Sequence, residues 1–304
     1  MSDQSTIAVI GLGSMGLGMA RSALRAGRTV RGYDVNADAL KAFSQDGGLA
    51  SASLQEAAAD ADIAVIVVVN AAQTEAVLFA EGGVVSALRP GAVIVSCATI
   101  SPSEAKGFAS RAEAAGLLYL DGPISGGAKK ATSGDLTFMA SGSAQAFAAA
   151  RPALDAMAGT VYELGDQAGI GSSFKVVNQL LAGVHIAAAC EAIAFAKSLD
   201  LDISRVFEVI TKSAGNSWMF ENRIPHVLSG DYTPHSAVSI FTKDLGIVSD
   251  IGRKVKFPLP ITAAALQLFI MTEAAGMGRD DDSSVARLLA KIAGLRLPGM
   301  SEEV

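Results

Sequence analysis

The segment Gly11-Leu12-Gly13-Ser14-Met15-Gly16 constrains the fold of this chain more than any other, because its three glycines separate two different periodicities. Thr6 to Ile10 reads as a short β-branched strand, and Met15 to Ala26 carries its apolar residues at helical spacing. Strand, glycine turn and helix in direct succession open a βαβ unit. In such a turn Gly11 allows the reversal, Gly13 lets the backbone approach a pyrophosphate, and Gly16 lets helix and strand pack closely. The helix start offers unpaired N–H groups and a positive dipole end to phosphate. Gly11, Leu12, Gly13, Ser14, Met15 and Gly16 are therefore candidate cofactor contacts. By themselves these residues would also suit an ordinary turn. Asp34 narrows the choice: it closes the strand Thr29 to Tyr33, 18 residues after Gly16, where a carboxylate accepts from both hydroxyls of an adenosine ribose. A 2′-phosphate would meet that charge, and no arginine directly follows, so the expected cofactor is NAD rather than NADP.

The first half of the chain repeats this pattern. Apolar runs at Ile63 to Val69 and Val93 to Val95 alternate with helical stretches such as Ser103 to Ala115. The run Ile63 to Val69 has no polar alternation, the mark of a parallel strand covered on both faces. After Gly171 the turn signals thin, since 22 of the 31 glycines lie at or before it. Long Ala/Leu/Ile segments follow at Ser172 to Ser198, Ile203 to Ser213, Val238 to Val255, Ile261 to Ala275 and Val285 to Ile292. The expected fold is α/β: a Rossmann-type, doubly wound parallel sheet over residues 1–167, then an all-α domain over residues 168–304. A long helix joins them, and the ligand cleft is expected around its first turns.

Composition excludes several classes. With 50% hydrophobic and 18% charged residues the chain has ample material for a core, which rules out disorder. Lys and Arg number 24 against 30 Asp and Glu, and the longest basic runs are pairs such as Lys129-Lys130, so no nucleic-acid partner is expected. Cys97 and Cys190 make neither a disulfide framework nor a metal-ligand spacing. They read as buried thiols, and the expectation is a cytoplasmic protein without a metal site. The first residues carry no basic region, so no signal peptide is expected. Leu180 to Ala196 is interrupted by His185 and Glu191, which suits a buried core helix better than a membrane span.

Loops after later strands reach the same cleft in such folds. Val69 and Asn70 end the fourth strand, and Thr99 follows the fifth. The Thr99 hydroxyl suits a nicotinamide ribose or, with Ser101-Pro102, the cap of the next helix. Asp121 to Gly127 follows a strand over Leu117 to Leu120, and there Ser125, Gly126 and Gly127 form either a nest of N–H groups for a carboxylate or a plain turn. Lys175 and Asn178, three apart on a helix, share one face. Lysine titrates at about 10.4 in water, and desolvation together with the charge of an oxidised nicotinamide lowers that toward a useful acid/base range. A lone helical lysine is ordinarily a solvated surface residue; apolar Phe174, Val176 and Val177 around Lys175 argue for a site.

The glycine loop, Asp121 to Gly127, Gly169 to Asn178 and Lys243-Asp244-Leu245 stand in the order of the β-hydroxyacid dehydrogenase family, which the chain resembles over nearly its whole length. The resemblance implies that Lys175 is the general acid/base and that Ser125, Gly126 and Gly127 hold the substrate carboxylate with Asn178 assisting. It also implies that Thr99 and Lys243 meet the cofactor. Ala98 departs from the family's usual serine. Val69 to Gln73, Gln179 to Ile186, Gly215 to Arg223, Asp231 to Ser236 and Asp281 to Ser283 resemble more closely the members that oxidise a four-carbon sugar acid at its 2-hydroxyl with NAD. Asn216, Ser217, Asn222, His235 and Ser236 are donors and acceptors suited to such a substrate. His185 and His235 have an equal claim as structural histidines, and Trp218 and Phe220 read as core. Within the family, 3-hydroxyisobutyrate and tartronate semialdehyde are the alternative substrates; a non-catalytic dinucleotide-binding module is the reading from another class. The apolar excess of the helical half exceeds what it would bury alone, so a homodimer or homotetramer is expected.

Overall fold

The computed structural model describes residues 5–301. By its contacts the chain divides within one long helix into a unit ending at Lys175 and a unit beginning at Val176. The first unit runs β1 (Thr6–Ile10), α1 (Ser14–Arg25), β2 (Thr29–Tyr33), α2 (Ala37–Gln45), β3 (Leu49–Ala50), α3 (Leu54–Ala58) and β4 (Ile63–Ile66). It continues with α4 (Ala71–Phe79), α5 (Val84–Ala87), β5 (Val93–Ser96), α6 (Pro102–Ala114) and β6 (Leu118–Asp121). Three further strands, β7 (Ile124–Ser125), β8 (Leu136–Ala140) and β9 (Ala158–Glu163), enclose α7 (Gly127–Ser133) and α8 (Ala144–Met157), and α9 (Ile170–Ser198) begins after them.

Six strands pair in the order β3-β2-β1-β4-β5-β6, every pairing parallel. The winding reverses between β1 and β4, so the crevice at the carboxyl ends of those strands is where such a sheet takes its ligand. Both faces are covered. Ile7 and Val9 of β1 pack with Val65 and Val95 in one buried cluster, while Ala8 and Ile10 pack with Ala64, Ile66 and Ile94 in another.

Some boundaries differ from expectation. The strand expected over Ile63 to Val69 ends at Ile66. Val67 N still donates to Ile10 O at 2.8 Å, but Asn70 then accepts from Gln73 N and starts α4, drawing the chain off the sheet. At β6 the strand includes Asp121, one residue past the expected end. No sequence signal pointed to the second sheet, β7-β8-β9, in which β7 and β8 are antiparallel and β8 and β9 parallel.

In the second unit α9 is followed by α10 (Ile203–Ile210), α11 (Trp218–Ser229), α12 (Val238–Val255), α13 (Pro260–Thr272) and α14 (Val285–Ile292). One buried cluster joins Ile186, Cys190 and Ile193 to Ile224, Phe241, Leu245, Phe269 and Val285. Helix α11 had escaped the sequence reading because Pro225 interrupts its pattern; Ser217 caps it by accepting from Phe220 N at 3.1 Å. Phe220 is core as expected, whereas Trp218 is 54% exposed. By length and composition alone, Ile170–Ser198 and Pro260–Met277 are each apolar enough to cross a membrane, although Leu180 to Ala196 by itself had read as too interrupted. More than half of the first is buried in the fold, whereas most of the second is exposed.

Candidate active site

The glycine loop occupies the end of β1. Gly11 has a φ of +92°, and a Cβ placed on Gly16 would lie 1.8 Å from Gly11 O, so the close approach that requires glycine is between helix and loop. Gly13 faces open space, its Cβ meeting nothing within 4 Å. As N-cap of α1 it supplies no side-chain hydrogen bond to the helix start. Backbone N–H groups at Ser14 and Met15 are thus presented at a glycine surface, which fits a dinucleotide pyrophosphate. Leu12 contributes differently: its side chain is buried in the core and its N–H donates to Asp34 Oδ2 at 2.5 Å. The other oxygen of Asp34 accepts from Asn36 N at 2.7 Å. One carboxylate therefore anchors the loop from the end of β2 while remaining partly exposed.

Parallel topology brings Val69, Asn70 and Thr99 to the same edge of the sheet, after β4 and β5. Val69 is exposed and Thr99 half-buried. Asn70 caps α4, and the cap of α6 is Ser101, in a capping box with Glu104.

Beyond β6 the loop that was expected to take a carboxylate bends through Gly126 and Gly127, with φ of +137° and +74°, conformations that favour glycine. Asp121 lies before that bend. It is buried and accepts from Gly169 N at 2.8 Å, Ser172 N at 2.9 Å and Ser172 Oγ at 2.7 Å. Burial pushes its carboxyl up from the ordinary range while the Ser172 and Gly169 hydrogen bonds oppose the shift. The clasp fixes the first turn of α9, and Lys175 lies one turn further on. Only 7% exposed, Lys175 donates from Nζ to Ile124 O at 2.8 Å, one residue before Ser125. The surface-lysine reading therefore fails.

In the second unit, Asn178 and Lys243 are joined through two residues that carried no sequence-assigned role. Asn178 Nδ2 donates to Gln179 Oε1 at 2.9 Å, Gln179 Nε2 donates to Asp244 Oδ2, and Asp244 Oδ1 lies 2.6 Å from Lys243 Nζ. Asp244 stood in a family motif and Gln179 in a segment that resembles the sugar-acid members, but neither had been given a role. Several polar residues expected to read a substrate also make hydrogen bonds within this unit. Asn216 Nδ2 donates to Thr211 O and Glu221 Oε1, Asn222 Oδ1 accepts from Arg223, and the backbone N–H of His235, not its imidazole, donates to Asp281 Oδ2. Arg223 forms a two-point ion pair with buried Asp282, at 2.6 and 3.0 Å. His226 Nδ1 lies 3.0 Å from Asp281 Oδ1, and its ring is 4.9 Å from that of His235.

Residues 6–165 match the NAD binding domain of 6-phosphogluconate dehydrogenase, and residues 169–289 match the NAD-binding family of NADP-dependent 3-hydroxyisobutyrate dehydrogenase. The L-threonate dehydrogenase of Cupriavidus necator is 51% identical over 97% of this chain and 99% of its own length. Its counterpart in Escherichia coli K12 is 45% identical over 96% of each. The crystal structure of 3-hydroxyisobutyrate dehydrogenase from Salmonella typhimurium superposes with a TM-score of 0.90 at 48% identity, covering 94% of this chain and all of that one.

Proposed function

The chain belongs to the β-hydroxyacid dehydrogenase family and oxidises a hydroxy acid with a nicotinamide dinucleotide, and on that premise we propose that it is an NAD-dependent L-threonate dehydrogenase producing 2-dehydro-L-erythronate. The observation that carries this reading is the buried Lys175 amine held 2.8 Å from Ile124 O, directly beside the Ser125 to Gly127 loop. Oxidation at C2 removes a hydride from carbon and a proton from oxygen. When bound, the nicotinamide supplies the hydride acceptor. Ser125, Gly126 and Gly127 hold the carboxylate, Lys175 takes the 2-hydroxyl proton at Nζ, and Asn178 assists. Such a positioned acid/base group contributes about 10²–10⁴ in rate. Gly11 to Gly16 hold the pyrophosphate, Asp34 the adenosine ribose, and Val69, Asn70, Thr99 and Lys243 the remainder of the cofactor. The high identity to L-threonate dehydrogenases supports the substrate.

The test is a side-by-side assay of L-threonate, D-threonate, D-erythronate and 3-hydroxyisobutyrate with NAD. L-Threonate is expected to show the highest kcat/KM, by at least about tenfold, a difference of about 1.4 kcal/mol in transition-state binding. Preference for 3-hydroxyisobutyrate would replace the substrate and leave the class standing. The same reading includes a homodimer or homotetramer, supported by the exposed apolar side chains Ile261, Ile270 and Met271 of α13. A monodisperse monomer in light scattering would remove it. A cytoplasmic location accords with Cys97 and Cys190 being free, buried thiols whose ionisation burial suppresses.

A further inference from the structure

The polar chain from Asn178 to Lys243 has a direction. Asp244 is 2% exposed and forms an ion pair with Lys243, whose Nζ lies 2.6 Å from Oδ1; a carboxylate so paired can only accept hydrogen bonds. Gln179, also buried, must therefore turn its NH2 toward Asp244 Oδ2, leaving Oε1 for its neighbour. Oε1 too can only accept, so Asn178 must turn Nδ2 toward it, as observed at 2.9 Å. An amide has one donor end and one acceptor end. With one N–H of Nδ2 engaged by Gln179, the Asn178 amide is fixed with Oδ1 turned away from Gln179, and it offers that acceptor beside its second N–H.

We propose that Gln179 is a positioning residue that transmits the charge of Asp244 to Asn178, so that Asn178 meets the substrate with an acceptor and reads a substrate hydroxyl. The inference rests on the reading that Asn178 contacts the substrate. It also says which hydroxyl. The 2-hydroxyl has one proton, and Lys175 takes it, so Oδ1 of Asn178 accepts from a hydroxyl further along the chain, at C3 or C4. Without the relay the Asn178 amide is free to flip and present NH2 or O alike. The site then keeps its carboxylate clamp and its base but loses part of its reason to prefer a polyhydroxy acid.

The experiment compares kcat/KM for L-threonate and for 2-hydroxybutanoate, which keeps the carbon chain, carboxylate and 2-hydroxyl but lacks the other two hydroxyls. The enzymes are wild type, Gln179→Met, Asp244→Asn and Asn178→Ala. In Gln179→Met the value for L-threonate is expected to fall at least tenfold, with 2-hydroxybutanoate changed less than threefold and NAD affinity unchanged. The preference for L-threonate then falls by at least about threefold. Should Gln179→Met fail to fold, Asp244→Asn reads the same ratio, because a neutral amide no longer dictates the direction; a fall of at least threefold is expected. Both substrates declining in parallel in the folded variants would mean a purely structural role and overturn the relay. Asn178→Ala with undiminished kcat/KM for L-threonate would instead strike the underlying reading that Asn178 meets the substrate. A wild-type enzyme inactive on L-threonate would remove both.

Discussion

Residues up to Lys175 place backbone that only glycine allows at Gly11 to Gly16 and at Gly126 and Gly127, the proposed ligand contacts, whereas residues from Val176 onward rely on side chains paired across long stretches of sequence. In the first unit the critical feature is the absence of atoms: a Cβ on Gly16 would fall within bonding distance of Gly11 O. In the second it is their presence, since Arg223 and Asp282, or Gln179 and Asp244, leave a buried charge or amide unsatisfied when one partner is removed. On the proposed reading, the first unit carries the dinucleotide cradle and the carboxylate clamp. Discrimination among acids then falls to the second unit, where the polarity of single side chains is set.

The contrast can be broken or sharpened by substitution. The largest effect expected is on turnover: Lys175→Ala should lower kcat by about 10³-fold, within the range of general acid/base groups, while NAD affinity measured by fluorescence stays within twofold. Near-normal turnover would take Lys175 out of the chemistry. Next is Arg223→Leu, which strands Asp282. Burial pushes that carboxyl up to about 6 even against the neighbouring guanidinium. Breaking such a buried pair costs about 3–5 kcal/mol, seen as a fall in Tm of roughly 10 °C; a loss of a degree or two would show that the second unit does not depend on its ion pairs. Asp34→Ala should lower the NAD over NADP preference about tenfold, or about 1.4 kcal/mol, and loosen the loop through the lost Leu12 N–H bond. A wild-type enzyme that prefers NADP would overturn the assignment of Asp34.

The smallest effect concerns pH. The Asp281 hydrogen bond raises His226 above the ordinary 6.5, and Asp281, despite burial, is drawn down to about 2 by His226 and Ser283. A raised histidine stabilises the fold fully below 6.5 and loses that contribution as pH climbs through its folded value; a depressed carboxylate contributes above 3.8 and loses it as pH falls toward 2. The Tm difference between wild type and His226→Gln should therefore be greatest between pH 4 and 6.5 and narrow above it. A constant difference from pH 5 to 9 would mean that the pair is not ionic.

Legibility followed the same division. The glycine loop, Asp34 and the one-face spacing of Lys175 and Asn178 could be read directly, as could helices α12 and α14, whose ends fall where the apolar pattern starts and stops. The end of β4 at Ile66 could not, because Val67 to Val69 are as apolar as the strand, and only the Asn70 cap decides where the chain leaves the sheet. Asp121 read as part of a loop and is a buried clasp for α9, since its partners Gly169 and Ser172 lie 48 and 51 residues away. Gln179 stood in a segment that resembles the sugar-acid members, yet its pairing with Asp244 was not legible because Asp244 lies 65 residues away.

The amino-acid sequence by itself determined what depends on local geometry: periodicity, the places where only glycine fits, and a carboxylate at a fixed distance after a strand. Tertiary structure alone decided which buried polar groups meet and which way round they face. A charge or amide can enter the interior only when a partner compensates its lost hydration, and that partner is chosen in space, as Asp244 is for Gln179 across 65 residues, rather than along the chain.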